Sequence, residues 1–445
     1  MVVHPDITLD RLRELMRANG VTQLLAKELS ANDNSKNQPY LGGDFQALSI
    51  LPVGDIRAET TASGRETLKA PVSFWWLQPD GGLEQAPGAQ LILYPQYPEV
   101  RLSGFLKGTH SAPNELMNIR LEGRIIFLGI TPTARILAWV AGPDSALARE
   151  FRALENLELT GVFRKLPLLG DGEVPPRARL IAELRRIHLR NWIDSHALRS
   201  DGSIAPCNSS QCIGYTLEAE LGVPRNSYAE PDFLGWEVKA GQVDSFAAPS
   251  ASKAVTLMTP EPTGGYYRDG GVEAFIRKFG YADQRGREDR LNFGGIFRAG
   301  ARHAGTALTL TMDGYRVDTG MITNAAGALA LITDDGEVAA SWSFTALAKL
   351  WNRKHAQAVY VPGECRTDPV RAYRYGSRVR LGEGTDFLKL LAAIGRGTVF
   401  YDPGIKLENA SGPRPLTKRR SQFRIRSGSL GALYGTMTEA DLLQQ

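Results

Sequence analysis

The chain has 445 residues, 43% hydrophobic and 22% charged, the make-up of a globular protein of two or three domains. It holds no run of about 18 apolar residues to cross a membrane, and Met1 to Asn19 is too charged for a secretory signal, so a cytoplasmic protein without a membrane partner is expected. A net charge of +4 permits a polyanionic partner without demanding one, and three cysteines are too few for a disulfide framework.

Apolar residues at helical spacing predict a first helix over Thr8 to Leu29, interrupted at Gly20. Residues 44 to 141 read as short strands between Gly and Pro turns, among them Ala70 to Leu77 with the Trp75-Trp76 pair, Gln90 to Tyr94, Arg124 to Gly129 and Ile136 to Val140. One tryptophan of the pair is expected in the core and one at an interface. A helix over Ser145 to Leu157 closes this part. Gly170 to Pro176 has linker composition and places a boundary near residue 172. Beyond it come a helix over Ala178 to Trp192, a short helix over Tyr215 to Leu221 and a hairpin over Pro231 to Val243. Strands follow within 306 to 341, then a helix over Ser343 to His355, a strand to Val361, a helix over Phe387 to Ile394 and a strand over Thr398 to Tyr401. Strands alternating with helices indicate a mixed α/β domain.

Chemistry concentrates in Pro231-Asp-Phe-Leu-Gly-Trp-Glu-Val-Lys239. Side chains alternate across a strand, so Glu237 and Lys239 share a face. Gly235 allows a tight turn that brings Asp232 alongside, at the end of a preceding strand. Asp and Glu oxygens suit Mg²⁺, a hard cation that polarises a phosphodiester, and an amine beside them orients water and stabilises developing charge. Asp, Glu and Lys are also common on solvated hairpins; Trp236 and Val238 favour instead a strand with one buried face. Glu218, one helix upstream, is a candidate third carboxylate. Cys207 and Cys212 with His188 and His196 do not have the usual zinc spacing and read as free thiols, and His303 and His355 read as structural. From Arg414 to Arg426 the chain carries Arg414, Lys418, Arg419, Arg420, Arg424 and Arg426 without an acid, which beside a nuclease reads as a phosphate- and base-contacting segment. Alternation there places Gln422 and Arg424 on one face and Phe423 and Ile425 on the other.

Ile213-Gly-Tyr-Thr-Leu-Glu-Ala-Glu-Leu-Gly-Val-Pro-Arg-Asn226, followed by Pro231 to Lys239, resembles the MvaI/BcnI family of restriction endonucleases. Trp192-Ile193, Trp342 to Lys354, Tyr401 to Ile405 and Arg419 to Ile425 extend the resemblance over about residues 178 to 426. It implies a PD-(D/E)xK nuclease core with recognition elements, Mg²⁺ dependence, cleavage at short CC/GG-type sites in double-stranded DNA, and often a monomer. On this match Glu218, Asp232, Glu237 and Lys239 are the catalytic set, with Asp232, Glu237 and Glu218 on the metal and Lys418, Arg419, Arg420, Arg424 and Arg426 on DNA. An insert, Arg199 to Gln211, and about 170 N-terminal residues have no counterpart in that pattern.

The expected fold is therefore an α/β restriction-endonuclease-like sheet flanked by helices over 173–445, with a separate β-rich accessory domain over 1–172. The expected function is Mg²⁺-dependent cleavage of double-stranded DNA in restriction or phage defence. The alternatives are a nicking or repair-type nuclease, and a DNA-binding protein with an inactive nuclease fold. Retention of all four candidate residues argues against the last.

Overall fold

The structure is a computed structural model that describes residues 6–31, 38–42, 50–54, 56–60, 66–94, 99–155, 157–168, 174–209, 211–225, 232–247, 250–324, 326–354 and 357–444. Residue contacts divide the chain into two units, Met1–Pro175 and Pro176–Gln445. Most of the expected linker, together with Asn226, Pro231 and His355, lies outside the described residues.

In the first unit, Leu9, Leu12, Leu15 and Met16 line the buried face of the helix Leu9–Ala18, and the Thr8 hydroxyl caps it by accepting from the Arg11 amide. The helix does not continue to Leu29 as its spacing predicts. Gly20 takes a left-handed φ of 77°, and Gln23–Leu29 is a strand. Tertiary pairing overrides the local period here: this strand is hydrogen-bonded along both edges, to Arg124–Ile130 and to Phe163–Leu166, and Leu24, Leu25 and Ala26 are all buried. A seven-stranded sheet runs in the order Leu159–Thr160, Phe163–Leu166, Gln23–Leu29, Arg124–Ile130, Arg135–Ala141, Ser73–Leu77, Leu83–Gln85. One core joins its face to the helices Leu9–Ala18 and Ala146–Ala153 through Leu24, Phe127, Leu137, Trp139 and Phe151. An antiparallel five-stranded sheet, from Tyr40–Gly42 at one edge to Arg57–Thr60 at the other, completes the unit. Trp76 is buried with its indole N–H on the Phe105 carbonyl at 2.8 Å, and Trp75 is half-buried.

In the second unit the long strand Gln357–Arg366 organises a mixed sheet. One of its edges carries Ala372–Tyr375 and Arg378–Glu383, both antiparallel, and Thr436–Asp441 lies beyond the latter. Its other edge carries Glu237–Gln242, running parallel, with Glu237 opposite Ala358 and Lys239 opposite Tyr360. The sequence predicts a hairpin over Pro231 to Val243. Only a tight turn survives of it, because the strand's ladder partner lies about 120 residues on, and a parallel partner cannot be supplied by a short turn.

The sheet's two faces are packed differently. Helices Pro176–Leu189 and Cys212–Glu220 cover one, through Leu180, Leu184, Ile187, Ile213 and Leu217 against Trp236, Val238, Val359 and Val361. On the other, Ala358 and Tyr360 join a larger core that extends into the strands Ala254–Met258, Phe423–Arg426 and Val399–Tyr401, and the helices Gly271–Phe279, Phe344–Lys354 and Phe387–Gly395. Cys207 and Cys212 are not free thiols. The strand Ile204–Pro206 and the start of the helix at Cys212 bring their Cα atoms to 5.7 Å and the sulfurs are bonded. No described helix is long and apolar enough to cross a membrane.

Candidate active site

The site begins with a turn. Phe233 and Trp236 exchange both backbone hydrogen bonds, at 3.0 and 2.8 Å, while Leu234 and Gly235 take φ of 49° and 84°. Two successive left-handed residues make a turn that reverses the chain within four residues, and glycine at the second position carries no steric cost. Trp236 and Val238 then enter the core beneath the helices, 1% and 4% exposed. Alternation turns Glu237 and Lys239 to the opposite face, beside Ala358 and Tyr360.

Glu237 is 2% exposed. A carboxylate buried to that degree requires a cationic or hydrogen-bonding partner. The Lys239 ammonium supplies it, donating to Glu237 Oε1 at 2.6 Å. Asp232 is fixed from the other side of the turn, its Oδ2 accepting from the Val238 amide at 2.9 Å. Glu237 and Lys239 thus sit on one short stretch of edge strand, with Asp232 hydrogen-bonded to the residue between them. Asp232 itself stands at the turn and belongs to no described strand.

Across the strand pair, the Tyr360 and Tyr434 hydroxyls lie 2.8 Å apart in a buried contact. Burial raises the pKa of both, and the negative charge of Glu237 raises it further in each case. Both phenols therefore stay neutral at physiological pH. Arg380, opposite Tyr360 in register, donates to the Ser427 carbonyl at 2.8 Å. The sequence offers no local sign of Tyr360, Arg380 or Tyr434, because each reaches this face through long-range pairing.

Glu218 is placed differently. It lies on the helix Cys212–Glu220, whose buried residues pack on the Trp236 and Val238 face. Its charge is felt there by the Tyr375 hydroxyl, whose pKa is raised first by burial and then by Tyr373, Glu220 and Glu218. Among the described residues no three carboxylate, imidazole or thiol side chains are grouped as a metal shell. Its neighbour Glu220 is tied down by Arg190, by Arg186 at 3.7 Å and by His196 at 3.5 Å. His196 and His188 bond backbone carbonyls through Nδ1, at 2.7 Å each.

The basic segment divides in two. Arg414, Lys418, Arg419 and Arg420 are exposed, Lys418 lying 3.5 Å from Glu408. Arg424 and Arg426 lie on the central strand of the sheet Ala254–Met258, Phe423–Arg426, Val399–Tyr401. Arg424 donates to Asp402 Oδ2 at 2.7 Å and to the Ala254 carbonyl at 2.9 Å; Arg426 donates to the Ser252 carbonyl at 2.7 Å. The expected outward pairing of Gln422 with Arg424 does not form. The strand starts at Phe423, and Gln422 is 4% exposed and accepts from the Thr256 hydroxyl at 3.3 Å.

The pattern of the MvaI/BcnI restriction endonuclease family matches residues 181–434, more than half of the chain. Among solved structures, the restriction endonuclease MvaI–cognate DNA substrate complex is 17% identical, with 60% of this chain and 99% of that one covered and a TM-score of 0.45. Restriction endonuclease MvaI in the absence of DNA is 16% identical, with 61% and 100% covered and a TM-score of 0.33. No curated protein matches. The family match spans the turn, the Glu237–Lys239 strand, the Tyr360 strand and the basic segment together, and the chain belongs to the MvaI/BcnI restriction endonuclease family.

Proposed function

We propose that this restriction endonuclease cleaves double-stranded DNA at a centre formed by Asp232, Glu237 and Lys239, with Mg²⁺ as cofactor. The observation that carries the reading is the Lys239–Glu237 contact at 2.6 Å on a strand whose Val238 amide is capped by Asp232. Asp232 and Glu237 are both hard oxygen donors and flank one residue's backbone, a donor set that fits Mg²⁺. When bound, the ion polarises the phosphodiester and neutralises charge on it. Lys239 is held by Glu237 in a fixed rotamer and offers its remaining ammonium protons to the developing negative charge or to the attacking water. Glu237, kept buried by Lys239 and flanked by two neutral phenols, retains its orientation while substrate enters. Glu218, on the helix Cys212–Glu220, completes the proposed acidic set.

Residues 1–172 form an accessory unit, and the enzyme works as a monomer in a cytoplasmic restriction or defence role. Plasmid cleavage in Mg²⁺, with and without EDTA, tests the reading: conversion to linear product that EDTA stops is expected. Cleavage that survives EDTA removes Mg²⁺, nicked circles alone point to a strand-specific nuclease, and binding without cleavage at any Mg²⁺ concentration points to an inactive fold.

A further inference from the structure

Phe400 is an aromatic residue buried on the wrong side of its sheet. Its neighbours Val399 and Tyr401 belong to the large core, whereas Phe400 alternates to the opposite face, yet is only 1% exposed. Two cations lie over it. The Arg298 guanidinium stands 5.3 Å from the ring centroid and the Arg426 guanidinium 5.5 Å. They come from different parts of the chain, Arg298 from the loop after Arg290–Gly294 and Arg426 from the central strand. The aliphatic stem of Arg298 rests over Gly397, where a Cβ would stand 3.2 Å from Arg298 Cδ. Opposite Phe400 in the sheet stands Arg424, which has the acidic partner Asp402. Among the described residues neither Arg298 nor Arg426 has an acidic partner within ion-pair distance.

Two guanidiniums brought together on one ring repel each other, and the ring face offsets only part of that repulsion. A pair of this kind, unneutralised and half-exposed or exposed, is a site for an anion. Its position narrows the anion. Arg426 runs directly into Ser427, whose carbonyl holds Arg380; Arg380 is in register with Tyr360, and Tyr360 with Lys239. One side-chain hydrogen bond and two strand registers thus link the arginine pair to the proposed cleavage centre.

We propose that Arg298 and Arg426, oriented by Phe400, clamp the phosphodiester backbone of duplex DNA beside the cleavage centre. The clamp contacts backbone and carries no base preference. This rests on the DNA-cleaving reading above, and it assigns to Arg298 and Phe400 a role that the basic run 414–426 does not include. Phe400 is a positioning residue: it touches no DNA and packs against both guanidiniums.

The test uses the full chain and a short labelled duplex, cognate and scrambled, in Ca²⁺ between about 50 and 200 mM salt. Arg298→Ala and Arg426→Ala should each lower the slope of log K against log salt by about 0.9, which amounts to about fourfold in affinity near 0.2 M, equally for both duplexes. Phe400→Leu keeps both charges, so the slope should stay while affinity falls severalfold. Arg298 is exposed, so its variant folds whatever becomes of Phe400. Wild-type slope and affinity in both arginine variants would overturn the clamp. A loss confined to the cognate duplex would also overturn it, making these residues base readers. If the wild-type chain neither binds nor cuts duplex DNA, the DNA-cleaving reading itself fails, which the plasmid assay registers separately.

Discussion

The segments 232–239 and 418–426 look alike in the sequence, each a short strand with apolar residues alternating with charged ones, and the structure treats them oppositely. In the first, the contacts of interest lie within six residues: Lys239 to Glu237, Asp232 to the Val238 amide. In the second, every described contact of Arg424 and Arg426 comes from far away, from Asp402, Ala254, Ser252 and Phe400. Alternation predicted the first because it puts Trp236 and Val238 on one buried face and Glu237 and Lys239 together on the other. It failed for Gln422 because that residue precedes the strand and is covered by Thr256. Spacing in the chain determines a site only when the chemistry is confined to one element.

The largest effect should separate the two segments outright. Lys239→Ala is expected to lower the cleavage rate by about 10²–10³ or more while duplex binding in Ca²⁺ persists; wild-type turnover in the purified variant would dissolve the contrast. Asp232→Asn and Glu237→Gln should each remove Mg²⁺-dependent cleavage, read as the Mg²⁺ concentration for half-maximal rate.

Next comes the hidden part of the first segment's surroundings. Tyr360→Phe and Tyr434→Phe should each cost about tenfold in kcat with KM little changed, because they act through Glu237 and not on DNA. An equal rise in KM would instead place the pair in DNA binding.

Third, Arg424→Ala leaves Asp402 without its ion pair and frees the Ala254 carbonyl, so a stability loss of about 1–3 kcal/mol by denaturant titration is expected. Lys418→Ala, on an exposed side chain, should change stability by less than about 0.5 kcal/mol. Equal effects would make the basic run a single solvated surface after all.

The smallest effect lies in the first unit. The Ser111 hydroxyl and the His110 and Ser111 amides donate to Glu84 and hold its carboxyl down to about 2. A depressed folded-state pKa contributes stability that is present above the unfolded value near 4.5 and is lost as pH falls toward 2. Glu84→Gln should flatten that acid-side loss in a thermal melt series; an unchanged pH profile would show these hydrogen bonds to be energetically idle.

The Gly235 turn and the period-2 pattern were enough to put Glu237 and Lys239 on one face of a strand with Asp232 beside it across the turn, and the motif spacing carried the family, since these depend on neighbours within a few residues. Mixed α/β character was legible for the same reason. Only tertiary structure decided that Gln23–Leu29 is a strand and not the end of a helix, that Glu237–Gln242 pairs in parallel with Gln357–Arg366, and that Cys207 and Cys212 are joined. The placing of Tyr360, Tyr434 and the Arg298–Phe400–Arg426 cluster belongs with these. Each is a contact across tens to hundreds of residues, set by which strand edges and faces can be buried together, and no local periodicity encodes that choice.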